Sequence, residues 1–512
     1  MTTAERGTVY LIGAGPGDTG LFTLRGKELM ESCDVVVYDF LASADLLALA
    51  RPGAEIIYAG KKGGDHTLTQ NAINTLIIAK AGEGKSVARL KGGDPFMFGR
   101  GSEEAEELVK AGIPFEVVPG VTSAIAGAAY AGISLTHRAF ASSVTFATGH
   151  EDPSKPESVH NWKALATGGS TLVFYMGMRN LPDIVAKLTA NGMNPATPAA
   201  LIHWGTTPEH RSIAGSLETL PRLAVEHAFT APSLIVIGNV VTLHDTLGWF
   251  ERKALLGQGV LVTRSREQAS AMTRQLAREG ARVVEFPAIR FEGPSDTAAV
   301  REAACRLREY DWVVFTSPNG VDWFWKELDA LGLDARAFSA TKIAVIGPGT
   351  AQALAARGLR ADFIPERFVA ESLLAGLVAQ GVAGKRVLVP RAESARDVLP
   401  DGLAKAGAEC RVVPVYKTVP DTGNADTVIR RIEEGAIRYV TFASSSTVTN
   451  FLDAVPREAL AKARDLRFAC IGPITAKTLT DAGYACHVMA MEHTIPALVQ
   501  AIIDDAGTGD RQ

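Results

Sequence analysis

A series of short segments combines glycine with charged, hydroxyl or sulfur-bearing residues, and each follows an apolar run that reads as a strand. Gly13-Ala14-Gly15-Pro16-Gly17-Asp18 follows VYLIG, and Arg89-Leu90-Lys91-Gly92-Gly93-Asp94-Pro95 opens into FMFGRGSEE. Further on come Pro119-Gly120-Val121-Thr122-Ser123, Thr136-His137-Arg138, Tyr175-Met176-Gly177-Met178 and Trp204-Gly205-Thr206-Thr207-Pro208. Glycine at a strand end permits tight turns and lets a backbone approach a ligand closely. Strand ends are also where open α/β folds bind their ligands. The first loop is close to a dinucleotide fingerprint, GxGxxG opening directly into a helix. Here the third glycine comes one residue early, Pro16 interrupts, and the next helix is expected near Thr23. Asp39 ends the second strand, where a dinucleotide fold could place its ribose-binding acid. A nicotinamide or flavin oxidoreductase is therefore one reading of this end of the chain.

The elements that must position these loops are legible as an alternation of strands and helices. VYLIG, DVVVYD, TLVFYM, SLIVIG, VLVTR, WVVFTS, KIAVIG, RVLVPR, YVTFAS and FACIG are short apolar runs between helical stretches. Runs of this kind read as strands buried on both faces, hence parallel sheets covered by helices, the α/β class. A composition shift at residues 243–260 marks the main boundary and divides the chain into 1–250 and 257–512. The second part contains a repeat: Arg264 and Arg391, Gly280 and Gly407, Pro287 and Pro414, and Phe315 and Phe442 each stand 127 residues apart. Two similar halves of this kind suit a bilobed protein with a cleft, or a duplicated scaffold with no chemistry.

Bulk composition excludes several classes. The 512 residues are 47% hydrophobic and 21% charged, enough for several cores. A net charge of −4 offers no global basic field for nucleic acid, so anionic ligands must meet local arginine and lysine clusters. The five cysteines, Cys33, Cys305, Cys410, Cys470 and Cys486, are odd in number and lack CxxC spacing, so neither a disulfide framework nor a metal site is expected. No apolar run approaches the ~20 residues of a membrane span, and MTTAERGTVYLIG carries no charged-then-apolar leader. A cytoplasmic enzyme without membrane partners is the expectation.

In order, GAGPGD, VVVYD, RLKGGDPFMFGRG, PGVTS, LTHR and YMGM resemble uroporphyrinogen-III C-methyltransferase, across about residues 7 to 250. The resemblance implies a tetrapyrrole-methylase fold of two α/β subdomains with S-adenosylmethionine bound between them, and a homodimer. It places Gly15, Pro16, Gly92, Gly93, Asp94, Met97, Thr122, Ser123, Met176 and Gly205 around the cofactor. It makes Asp39 a proton acceptor, Lys61 a proton donor, and Arg100, Glu103 and Arg138 contacts of the tetrapyrrole. The residue types suit that chemistry, because guanidinium groups grip carboxylates bidentately and uroporphyrinogen III is polyacidic. Plainer roles fit too. Asp39 fits a helix cap, Lys61 a solvated charge, Arg100 with Glu103 a surface helix pair, Arg138 a structural cation, and Met176 a core filler.

VLVTRSREQ, VVFTSPNGV, IGPGTAQAL, VPRAESARDVLP, VYKT, FASSSTVTNF and IGPITAKTL are similar to uroporphyrinogen-III synthase, over about residues 257 to 505. That resemblance implies two flavodoxin-like α/β lobes, 257–291 with 418–505 and 292–417, and cofactor-free closure of hydroxymethylbilane with inversion of its last ring. Arg264, Thr316, Ser317, Arg391, Ser444, Ser445 and Thr475 are candidates to hold the substrate's carboxylates, and Tyr416 to protonate the leaving hydroxyl. The hydroxyls equally fit helix caps, and Tyr416 fits a packing role at the hinge. Fold alone would also permit a non-catalytic ligand sensor. The product of the second part is the substrate of the first, so together they imply a bifunctional route to precorrin-2, for sirohaem or cobalamin.

Overall fold

The computed structural model describes residues 7–60, 68–150, 160–264, 266–287, 289–395, 397–420 and 425–509. It divides into two compact units. The first is Met1–Val260 with Arg274–Val283 and Ile503–Gln512; the second is Leu261–Thr273 with Val284–Ile502.

The first unit contains two five-stranded sheets. Strands β1 (Val9–Gly13), β2 (Val35–Tyr38), β3 (Glu55–Tyr58), β4 (Val87–Lys91) and β5 (Phe115–Val118) form a sheet in the order β3-β2-β4-β1-β5. Every pairing in it is parallel. Alternate residues serve opposite faces, as the pleat requires. Val9, Leu11, Val35, Val37 and Val87 join one core, and Ile12, Val36, Ala88 and Leu90 join the other. A strand buried on both sides must read as a continuous apolar run, which is why VYLIG and VVVY carry no polar alternation.

The second sheet holds β6 (Val144–Thr148), β7 (Thr171–Tyr175), β8 (Pro198–His203), β9 (Arg211–Ser216) and β10 (Ser233–Ile237) in the order β6-β7-β10-β8-β9. Here the expectation of parallel sheets throughout needs correction. Only β6–β7 is parallel, while β7–β10, β10–β8 and β8–β9 run antiparallel. TLVFY and SLIVI are apolar because cores lie on both faces. Two-sided burial fixes the composition of a strand and says nothing of its direction.

The remaining strands form two further sheets. Strands β11 (Gly259–Val262), β12 (Arg282–Glu285), β18 (Tyr439–Phe442), β19 (Arg467–Cys470) and β20 (Val488–Met489) are ordered β12-β11-β18-β19-β20. Strands β13 (Ile289–Glu292), β14 (Trp312–Phe315), β15 (Lys342–Val345), β16 (Arg386–Ala392) and β17 (Glu409–Pro420) are ordered β13-β17-β16-β14-β15. Each sheet takes the opening strands of one sequence repeat and the later strands of the other: β11 lies beside β18, and β16 beside β14. The long β17 pairs antiparallel with β13, from Ile289 opposite Pro420 to Glu292 opposite Lys417.

Candidate active site

Backbone contacts draw the strand-end loops of the first unit together. Gly15, in the left-handed region at φ 77°, exchanges two backbone hydrogen bonds with Gly93, 3.1 and 2.7 Å long. At Gly13 a β-carbon would lie 2.5 Å from the Gly120 backbone, so the ends of β1 and β5 approach this closely only as glycines. Asp94 ties the loops after β4 and β5. Its Oδ1 accepts from the Phe96 and Met97 amides at 2.8 and 3.0 Å, and its Oδ2 from the Gly120 amide at 3.0 Å.

The same loops reach the second sheet. The Thr122 hydroxyl and the Tyr175 phenol are 2.7 Å apart, and the Ala124 amide donates to that phenol at 3.3 Å. Burial pushes the Tyr175 phenol above its ordinary value, so it stays protonated. From the first loop, the Asp18 amide donates to Thr206 Oγ1 at 3.1 Å, and Tyr130 donates to Asp18 Oδ2 at 2.6 Å. Phe40 and Trp204 meet edge to face at 6.0 Å. The loops after β1, β2, β4, β5 and β8 and the end of β7 therefore converge between the sheets. Phe98, Arg100, Met176, Trp204 and Thr206 all take positive φ in these segments. Side-chain residues are held there only when the surrounding structure over-determines them, a pattern typical of ligand sites.

This arrangement separates the readings that the sequence left open. Met176 is 55% exposed and is not a core filler. Asp39 caps no helix: the next helical turn, Ala44–Leu49, begins after Ser43. Asp39 Oδ1 instead accepts from the Leu41 amide at 3.2 Å, and its Oδ2 lies 3.5 Å from Arg89 Nη2. Gly92 packs against Leu41, Met97 is exposed, and Pro16 and Ser123 are half-buried. Arg100 and Glu103 form an exposed pair on the helix Gly101–Ala111, with Arg100 Nε 2.9 Å from Glu103 Oε1. The hydrogen bond from Arg100 holds the Glu103 carboxyl below its ordinary value. Arg138 is exposed on the turn closed by the His137–Ala141 bridge. Lys61 lies outside the described residues.

The glycine loop is not followed by a helix that could face a pyrophosphate. A 3-10 turn, Thr19–Leu21, comes next, and the first α-helix is Leu24–Met30, capped by Thr23. These loops carry the residues that the resemblance places around S-adenosylmethionine. Gly15 and Gly93 bond to each other through their backbones, and Met97 and Met176 leave their side chains exposed.

In the second unit the candidate hydroxyls chiefly close helices. Ser317 caps the helix Pro318–Ala330, accepting from the Gly320 amide at 3.0 Å. Ser444 caps Ser445–Ala454 in a capping box with Thr447. Ser445 accepts from Thr478 at 2.8 Å, on the helix Pro473–Asp481 that also holds buried Thr475. Thr316 is half-buried beyond β14. Tyr416 is 7% exposed, with its hydroxyl 3.2 Å from Ser317 Oγ and its ring edge-on to Phe291. Arg391 is buried and ion-paired with Asp397. Burial lowers the Arg264 guanidinium from its ordinary value. The structure thus joins Tyr416 to Ser317, and Ser445 to the helix of Thr475.

The sequence motifs contain Asp18, Arg89, Lys91, Glu104 and Tyr175 but gave them no individual role, and Tyr130 falls in none of them. Arg89 and Lys91 did leave a signal: two cations at alternate positions in an otherwise apolar strand put both on one buried face.

A two-sheet cleft ringed by glycine turns, followed by a bilobed α/β unit, defines a tetrapyrrole methylase joined to a synthase. The tetrapyrrole (corrin/porphyrin) methylase family matches residues 8–221, and the uroporphyrinogen-III synthase HemD family matches residues 270–500. A porphyrin biosynthesis protein HemD of Ruminiclostridium josui is 38% identical over 508 residues, 98% of this chain and 99% of that protein. A uroporphyrinogen-III C-methyltransferase of Bacillus subtilis (strain 168) is 51% identical over 245 residues, 48% of this chain and 95% of that protein. A solved uroporphyrin-III C-methyl transferase of Thermus thermophilus, complexed with S-adenyl homocysteine, is 37% identical with a TM-score of 0.40, covering 46% of this chain and 100% of that one. The chain belongs to the bifunctional tetrapyrrole-biosynthesis family that fuses a uroporphyrinogen-III C-methyltransferase to a uroporphyrinogen-III synthase. The methyltransferase family uses S-adenosylmethionine.

Proposed function

We propose that the second unit closes hydroxymethylbilane to uroporphyrinogen III and the first methylates that product at two ring carbons, giving precorrin-2. The observation that carries the methyltransferase half is the convergence of Gly15 on Gly93, Asp94 on Gly120 and Thr122 on Tyr175. When bound, S-adenosylmethionine would supply an electrophilic methyl group to a pyrrole carbon of the tetrapyrrole. The protein's share is alignment, worth up to ~7–11 kcal/mol of a barrier. Gly15, Pro16, Gly92, Gly93, Asp94, Met97, Thr122, Ser123, Met176 and Gly205 hold the cofactor. Arg100, Glu103 and Arg138 meet the tetrapyrrole, where substrate carboxylates compete with Glu103 for the exposed Arg100 guanidinium. Asp39 takes the proton that the alkylated ring releases, and Lys61 returns one to the macrocycle.

In the synthase, Arg264 and Arg391 with Thr316, Ser317, Ser444, Ser445 and Thr475 bind acetate and propionate groups. Tyr416, beside Ser317, protonates the departing hydroxyl. We assign residues 1–250 to the methyltransferase and 257–512 to the synthase, with lobes 257–291 plus 418–505 and 292–417. A cytoplasmic homodimer formed through the methyltransferase half completes the proposal.

The test mixes the purified full chain with hydroxymethylbilane and methyl-labelled S-adenosylmethionine. Label should enter a type III tetrapyrrole. An unlabelled product from folded protein removes the methyltransferase, and a type I product removes the synthase. Stabilisation by S-adenosylhomocysteine but not by NAD or NADP separates this function from an oxidoreductase.

A further inference from the structure

Beneath Asp39 lies a cluster of charges that the reaction as described does not use. Glu104 is 0% exposed, Arg89 2% and Lys91 3%. Arg89 and Lys91 stand on β4, two residues apart and so on the same face, under the first turn of the helix Gly101–Ala111 that carries Glu104. Glu104 Oε1 gathers three donors: Lys91 Nζ at 2.6 Å, Gln70 Nε2 at 3.0 Å and Arg89 Nη2 at 3.3 Å. The Arg89 nitrogen that meets Glu104 also faces Asp39 Oδ2, at 3.5 Å. The parallel register sets Val37 beside Arg89 and Tyr38 beside Leu90, so Asp39 leaves β2 just past the arginine.

Buried ion clusters are poor sources of stability, because desolvation consumes most of the Coulombic gain. A well-packed apolar set would hold this helix on this sheet at least as well. What such a set could not do is present a fixed guanidinium to a half-exposed carboxylate. An arginine left with Asp39 as its only anion would swing toward it and occupy the oxygen that must take up a proton.

We propose that Glu104 is a positioning residue for methyl transfer: with Lys91 it holds Arg89 inside the fold, and Arg89 fixes the Asp39 carboxylate at the cleft. This rests on the assignment of Asp39 as proton acceptor. Glu104 touches neither substrate nor cofactor and acts only through Arg89.

The experiment uses the full chain with three variants: Glu104→Gln, Glu104→Gln combined with Lys91→Met, and Asp39→Asn. Thermal melting, S-adenosylhomocysteine affinity, and kcat and KM for uroporphyrinogen III are measured on each. For Glu104→Gln, kcat should fall about tenfold or more, part of the ~10²–10⁴ typical of general acid–base assistance. Cofactor affinity and KM should stay within about threefold, the pattern of a lost transition-state interaction. The double variant removes one buried charge of each sign, so its melting temperature should recover while kcat stays low. A kcat that returns with the melting temperature, or one unchanged in Glu104→Gln, overturns the proposal and leaves a structural ion cluster. If Glu104→Gln does not fold, the neutral double variant decides alone, and kcat at the parent level refutes the proposal. Normal turnover by Asp39→Asn would instead remove the proton-acceptor assignment and this proposal with it, whereas a slow Asp39→Asn beside a fast Glu104→Gln removes the positioning role only.

Discussion

Asp39 and Asp94 are both strand-end carboxylates, yet their surroundings give them different work. Both Asp94 oxygens are taken by backbone amides of two loops, so that side chain shapes the cleft. Asp39 has one backbone donor and a longer contact to Arg89, and its side chain is 27% exposed. Asp39→Asn should therefore lower methyl transfer by ~10²–10⁴ while sparing S-adenosylhomocysteine binding, measured by single-turnover kinetics and calorimetry. Unchanged turnover would take Asp39 out of the mechanism. Arg100 forms a surface pair with Glu103 and is the residue proposed to meet the tetrapyrrole. Its exposed contact with Glu103 contributes only ~0.2–0.5 kcal/mol to the helix, so Arg100→Ala should leave melting nearly unchanged. The variant should raise KM for the tetrapyrrole more than it weakens cofactor binding; the opposite ranking would undo the assignment.

Among the elements, caps and short polar clasps do much of the fastening. The Ser444–Thr447 capping box closes the start of the helix Ser445–Ala454. Ser444→Ala should cost ~0.5–2 kcal/mol of stability, read from denaturant melts, in addition to any loss of substrate affinity. In the first unit, Glu251 follows the short helix His244–Leu247 and accepts from His210 and Ser212. Burial alone would raise its carboxyl, but the His210 and Ser212 hydrogen bonds together with the His210 and His244 charges hold it below the ordinary 4.5. A folded-state value below the unfolded one means its contribution is complete above about pH 4.5 and is lost as pH falls through the depressed value. Glu251→Gln should thus melt below the parent at pH 7, with the gap closing in acid; a gap independent of pH would contradict that sign.

For the whole molecule, the side chains proposed for the two reactions fall in separate compact units. Substitutions without shared partners are expected to act independently. Asp39→Asn should still convert hydroxymethylbilane to the type III isomer at the parent rate. Tyr416→Phe should still methylate supplied uroporphyrinogen III normally, while slowing ring closure only modestly because position carries most of that step. Either variant impairing both reactions would mean that the units do not work separately.

The ordered motifs from GAGPGD to YMGM, the strands they terminate and the offset of 127 residues between Arg264 and Arg391 were all legible in the chain itself. Each is local: a glycine that admits close approach, an apolar run buried on two faces, a copied segment. The directions of β7, β8 and β10 were not legible, because two-sided burial produces the same composition in parallel and antiparallel strands. Nor was the exchange by which β11 joins β18 and β16 joins β14, since a repeat records similarity and not pairing. Glu103 and Glu104 show the limit most plainly. As neighbours in sequence they look alike, but one is half-exposed beside Arg100 and the other is sealed among Arg89, Lys91 and Gln70. The ~100° that separates adjacent residues around a helix becomes a difference in chemistry only once the sheet beneath decides which side is inside.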